Sequence, residues 1–247
     1  MALRITSLAE RPELGAALWR MDNTWAPFML EDPISDLYYG AVTTAYADHV
    51  LVADDDREPG RLVARGFMVP YRTDKDPLPL NGWDGVVKAG WLTRERGHEP
   101  DRVSALEITV RRDLLGTGLS PLMLSAMREH AAKLGFAELV APVRPSAKHL
   151  EPRTPMSEYA FRTRPDGLPE DPWLRVHVRA GGRIVKVAPR SMTVAGTLAE
   201  WRGWTGLPFD RTGDVEVPGA LRPVRCDVEH DHAVYVEPNV WVSHPLG

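Results

Sequence analysis

Along the first hundred residues the spacing of apolar positions switches between two periods, and each switch predicts an element. Leu3-Arg4-Ile5-Thr6-Ser7 alternates as an edge strand does. Pro12 then opens a helix with Leu14, Ala17, Leu18 and Met21 on one face. Residues 23–33 have no period; they form a loop rich in large apolar side chains, Trp25, Phe28, Met29 and Leu30, and residues 34–46 read as a second helix. Apolar runs at 49–53 and 62–71 flank a polar turn at 54–60, the pattern of an antiparallel pair. A proline-rich connection over 73–81 leads to Trp83, Val86, Val87 and Trp91, which recur at helical spacing over 83–94.

The next stretch organises the chain. Residues 105–110 are a short alternating strand, Leu115-Gly116-Thr117-Gly118-Leu119 is a glycine-bearing turn, and a helix follows. Ser120 is placed to cap that helix, Pro121 to occupy its first position, and Gly135 to end it in the left-handed conformation. Residues 138–143 form a strand parallel to 105–110, with the helix as a right-handed crossover. Residues 144–169 carry too many prolines for a long helix. Asp171 then caps a helix that runs to Gly181, a strand occupies 184–187, Thr197 caps a helix at 198–201, and the tail holds short strands at 215–218, 224–228, 233–236 and 240–242.

A strand, a glycine turn and a sharply started helix together form an anion site, because free amides and the helix dipole point at one place. Three motifs of this kind fail on the residues. A P-loop lacks its lysine, a dinucleotide fingerprint lacks its third glycine at Pro121, and a hydrolase elbow lacks a glycine at Leu122. A fourth fits: the stretch resembles the acyl-CoA-binding motif of the GNAT superfamily of acyltransferases, with Val110 on the strand, Gly118 as the central glycine and Gly116 in a position often glycine. Leu115 replaces the family's Arg or Gln, and Ser120 its last Gly or Ala.

The resemblance covers about residues 3–209. It implies an α/β fold, a mixed and splayed β-sheet flanked by helices, with residues 1–209 as the acyltransferase domain, 144–170 as an insertion and 210–247 as a C-terminal β extension. By the same resemblance the amides of Leu115, Gly116, Thr117, Gly118, Leu119 and Ser120 cradle a pyrophosphate, and Ile108, Thr109 and Val110 hold the pantetheine arm. The implied donor is acetyl-CoA or another acyl-CoA, with phosphopantetheine on an acyl carrier protein as the alternative. The acceptor is an amine, on a small molecule or a peptide, attacking directly without a covalent enzyme intermediate.

Glu107, the one carboxylate on the strand, is the candidate base; its plainer reading is a carboxylate on the sheet surface. Aligned on Gly181, His177 takes the place of the tyrosine that often serves the family as general acid; its plainer reading is a hydrogen-bonded scaffold histidine. A competing function class keeps the fold without the chemistry, as an acyl-CoA-binding or interaction module. The insertion is expected to cover part of the acceptor site, or else to serve as a packing arm or a contact in a homodimer.

Composition adds exclusions. A net charge of −4 gives no general attraction to nucleic acid or to an acidic membrane. A single cysteine, Cys226, forms no internal disulfide and fits the cytoplasm, and the charged N-terminus from Arg4 onward reads as neither signal peptide nor membrane span. His230-Asp231-His232 sits at a polar turn without further ligands, so no metal is expected.

Overall fold

The alternating runs of the first half pair with their neighbours in sequence. In a computed structural model of the protein, β1 (Leu3–Ser7), β2 (Val50–Asp55), β3 (Leu62–Tyr71) and β4 (Arg102–Val110) form an antiparallel series. The described residues are 3–22, 24–58, 60–73 and 76–247; Asn23 of the apolar loop, Pro59 of the hairpin turn, and Asp74 and Lys75 of the connection lie outside them. β4 continues parallel to β5 (Glu138–Val143), and the remaining strands are β6 (Arg183–Gly196), β7 (Gly213–Val215), β8 (Val224–Asp227) and β9 (His232–Pro245). Among the described residues all nine belong to one sheet, in the order β1-β2-β3-β4-β5-β9-β8-β7, with β6 also paired to β9.

Helices cover both faces. α1 (Gly15–Arg20), α2 (Asp36–Tyr39), α3 (Gly82–Glu95) and α7 (Leu198–Thr205) bury Leu18, Tyr38, Trp83 and Trp201 in one core. α4 (Leu119–Lys133), α5 (Met156–Tyr159) and α6 (Pro172–Arg179) bury Met123, Met127, Met156 and Leu174 in the other. α4 approaches β3 closely at Gly66, where a Cβ would fall 2.8 Å from Met127 Sδ. Asp171 caps α6 as expected, accepting from the amides of Trp173 and Leu174, and Gly135 ends α4 at φ +91°.

Four expectations change. The helix over 34–46 shrinks to the one turn of α2; after Gly40 the chain runs on as i→i+3 turns through a β-branched Val42-Thr43-Thr44 that favours helix poorly. Ser120 does not cap α4: the helix starts at Leu119, and Gly118, left-handed at φ +89°, is its N-cap. Pro121 therefore lies at the third helical position, where its missing N–H is still one the helix leaves unpaired. The runs at 233–236 and 240–242 fuse into β9, which pairs Ala141↔Val242 and Val143↔Val240 with β5. The tail is thus part of the sheet.

Part of the segment 144–169 packs into the α4-side core through Met156, Tyr159 and Ala160. Lys148 is buried and donates to the carbonyls of Glu151 and Leu221, and the Tyr159 hydroxyl donates to Asp171. Among the described residues no helix is long and apolar enough to cross a membrane, and no group of three or more His, Cys, Asp or Glu is placed to hold a metal ion.

Candidate active site

β4 and β5 pair only through Val103↔Leu139 and Ser104↔Val140, and beyond that point they diverge. The register between β3 and β4 slips there too: Phe67 faces Glu107 but Met68 faces Ala105, so Leu106 is an extra residue. This bulge turns both Leu106 and Glu107 toward the core of α1 to α3. The divergence opens a cleft of about 340 Å³ through the sheet, from Ser120, Leu124 and His177 on the α4 side to Trp83 and Met192 on the other. Its walls include Ile108, Thr109 and Val143, which lie beyond the last β4–β5 pair, where the two parted strands leave a gap an extended ligand can enter. Val110, expected to hold the ligand with them, is buried in the α4-side core and is not part of the cleft wall.

At the α4 end the turn expected to hold a pyrophosphate has the required backbone. Gly116 and Gly118 are both left-handed, at φ +78° and +89°, with open space where a Cβ would sit. Among the described residues the amides of Gly116, Gly118, Leu119 and Ser120 have no protein acceptor, whereas those of Leu115 and Thr117 are bonded to Arg112 and Leu114. Leu119 turns its side chain into the core and Leu115 is exposed, so the loop can hold an anion through backbone alone.

Glu107 lies midway along the cleft and is buried. Its Oε1 accepts from Arg65 Nε and Nη2 at 3.2 and 3.1 Å and from the Thr109 hydroxyl; its Oε2 accepts from Tyr39 at 2.8 Å and from Trp25 Nε1 at 3.2 Å. Burial, and then the Glu107 charge, push the Tyr39 hydroxyl well above its ordinary value, so it remains a donor. The carboxylate also forms the common wall between the cleft and a second pocket of about 290 Å³, along with Trp25, Trp83 and Met192. Trp19, Met29, Leu30, Asp36 and Tyr39 line the far side of that pocket. The apolar loop thus borders it and no residue of 144–169 does; Arg144 and Ser146, from the start of that segment, line the cleft.

His177 lines the cleft from α6. Its ring is buried, packs edge-on to Trp173 at 4.7 Å, and shares one hydrogen bond between its Nδ1 and His244 Nε2, 2.9 Å apart. Burial, and then His244, lower the His177 pKa to about 3, so the ring is neutral at physiological pH and acts as an N–H or lone-pair group rather than as an imidazolium.

No protein-family model matches the chain. An Aspergillus versicolor protein named arginine N-acetyltransferase avaD is 33% identical to it over 271 residues, spanning 98% of this chain and 93% of that one. The chain belongs to the GNAT superfamily. As an N-acyltransferase of that superfamily it moves an acyl group from an acyl-CoA to an amine. The fold agrees: the loading GNATL domain of CurA from Lyngbya majuscula superposes with a TM-score of 0.60 at 16% identity, over 100% of this chain and 98% of that domain. A GNAT-like decarboxylase, GphF, solved with isobutyryl-CoA, superposes at 0.54 and 16% identity over the whole of both chains.

Within this GNAT fold several site residues had little or no sequence signal. Arg65 was readable as a charge inside an apolar strand, Val63-Ala64-Arg65-Gly66-Phe67. Tyr39 and Asp36 sit in the expected second helix without distinction, and His244 lies at the end of a strand read as ending at 242. Arg144, at the start of the insertion, reaches the cleft wall and pairs with buried Glu237 at 3.0 Å.

Proposed function

We propose that the protein transfers an acetyl or other short acyl group from acyl-CoA to an amine of an arginine-like acceptor. One observation carries the reading: Glu107 is the wall shared by the donor cleft and the second pocket, so the two substrates would meet at a carboxylate. The glycine-turn amides hold the pyrophosphate, and the edges of Ile108 and Thr109 hold the pantetheine and orient the thioester. Support for the acceptor comes from the relative's name and from the pocket's chemistry. Arg65 is neutralised by Glu107, the Asp36 carboxylate has no protein partner among the described residues, and Trp19, Trp25 and Tyr39 supply aromatic surface suited to a guanidinium.

Glu107 takes a proton from the acceptor ammonium, through water or in place of one of its neutral donors. The amine then attacks the carbonyl carbon, the C–N bond forms, the C–S bond breaks, and the second nitrogen proton passes to the departing sulfur. Phosphopantetheine on a carrier protein shares the arm the cleft would bind and is the second donor to try. The test incubates the protein with acetyl-CoA and, separately, with arginine, ornithine, lysine, citrulline and arginine-containing dipeptides, following free thiol and acetylated product mass. Thiol release with the arginine compounds supports the reading; release only with uncharged acceptors, or none with any, overturns it.

A further inference from the structure

His177 and His244 lie 2.9 Å apart, Nδ1 to Nε2, and burial keeps both rings neutral, so the pair shares one hydrogen between these two nitrogens. Two arrangements exist. In one, His177 donates and His244 carries its own proton on Nδ1. That nitrogen is buried without a partner, and the nearby Arg128 charge acts on the ring, so the proton would be an unsatisfied N–H beside a cation. In the other, His244 Nε2–H donates to His177, leaving a bare lone pair at His244 Nδ1, which a cation favours. Arg128 Nε is itself a buried N–H without a partner, so the two orphaned atoms are complementary in kind.

We propose that His244 is a positioning residue that holds His177 in its Nε2–H tautomer, so that a neutral donor N–H faces the donor cleft and hydrogen-bonds the bound thioester arm. No proton leaves the ring in this role. The pair is built into the fold at Gly182, where a Cβ would stand 2.5 Å from His244 Cε1, so only glycine lets the His244 ring reach α6. The tautomer is a property of the protein by itself, whereas the contact with donor rests on the acyltransferase reading above.

Long-range proton–nitrogen correlation spectra of protein carrying isotope-labelled histidine read the tautomer at neutral pH. The expected spectrum shows His177 and His244 both protonated at Nε2 and bare at Nδ1. His244→Gln, whose amide can still donate, should keep that state, and His244→Leu should lose it. In the acyl-transfer assay H244L should lower kcat by about tenfold, one hydrogen bond's worth, at unchanged acceptor KM, with H244Q recovering most of it. A wild-type spectrum with the His177 proton on Nδ1 overturns the proposal, as does H244L with an unaltered tautomer and kcat. The wild-type spectrum needs no variant to fold. Failure of every amine to accept an acyl group would sink the acyltransferase reading while the spectrum still decides the tautomer.

Discussion

Arg65 on β3, paired in register with Thr109, reaches Glu107 on β4 with its guanidinium Nε and Nη2 at 3.2 and 3.1 Å from a single carboxylate oxygen, and both side chains are buried. The third arm, Nη1, donates to the Leu18 carbonyl at 2.8 Å, so the same guanidinium ties the carboxylate to the end of α1. Removing either partner strands a charge in the sheet. Arg65→Met should cost about 3–5 kcal/mol in denaturant unfolding. Glu107→Gln keeps the shape and should cost less, yet lower the acyl-transfer rate by about 10²–10⁴-fold with acyl-CoA affinity retained. Wild-type turnover by E107Q would remove the carboxylate from the chemistry.

The glycine turn separates stability from donor binding. A side chain at Gly118 meets open space, but φ is +89°, so Gly118→Ala should cost only about 1–2 kcal/mol of stability. Its methyl group would stand where the pyrophosphate has to approach the backbone. Calorimetric titration should show acyl-CoA affinity falling more than stability does; an unchanged affinity would place the phosphates elsewhere.

Stability should depend on pH with opposite signs at the two ends. Burial, then the neighbouring Asp32, raises the Asp84 pKa to about 9, so the folded state holds a proton the unfolded chain releases near 4, and stability falls as pH rises through that window. Burial lowers His177 to about 3 and His244 and His49 to about 4, so their contribution is full above the unfolded value near 6.5 and is lost as pH falls toward those values. Above about pH 6.5 these three histidines no longer titrate, and the melting temperature should decline toward pH 9 through the aspartate pair. Asp84→Asn should flatten that decline and leave the acid limb in place; a decline of equal slope in D84N would contradict the assignment.

Gly182→Ala probes a contact rather than a torsion. Its Cβ would lie 2.5 Å from His244 Cε1 and 2.7 Å from the His177 carbonyl oxygen, an overlap that backbone cannot easily relieve. A loss of about 1–3 kcal/mol in thermal or denaturant unfolding is expected. A neutral effect would mean that the His244 ring moves aside freely, and with it the fixed tautomer of His177.

What the sequence determined by itself was local. The stop at Gly135 and the Asp171 cap satisfy their backbone within a few residues, and the glycine turn and the helix of Trp83 and Val87 follow from conformational preference and spacing over a short stretch, so their signals lie side by side in the chain. The same locality explains how Val110, Gly116 and Gly118 sufficed to expose the family. At Ser120 a hydroxyl before a proline imitates a cap, whereas the left-handed Gly118 two residues earlier carries that role.

Only the tertiary structure decided the site. Arg65, Tyr39 and Trp25 reach Glu107 across 42, 68 and 82 residues of chain, and His177 meets His244 across 67. Such bonds have no period and no spacing to read, because they form only after the sheet has brought its strands together. The bulge at Leu106 turns Glu107 toward those donors, and the parting of β4 from β5 after Ser104 opens the cleft. The wall opposite β4 is β5, held in place by β9 from the far end of the chain, so the geometry of the cleft exists only once both ends of the protein are paired in one sheet.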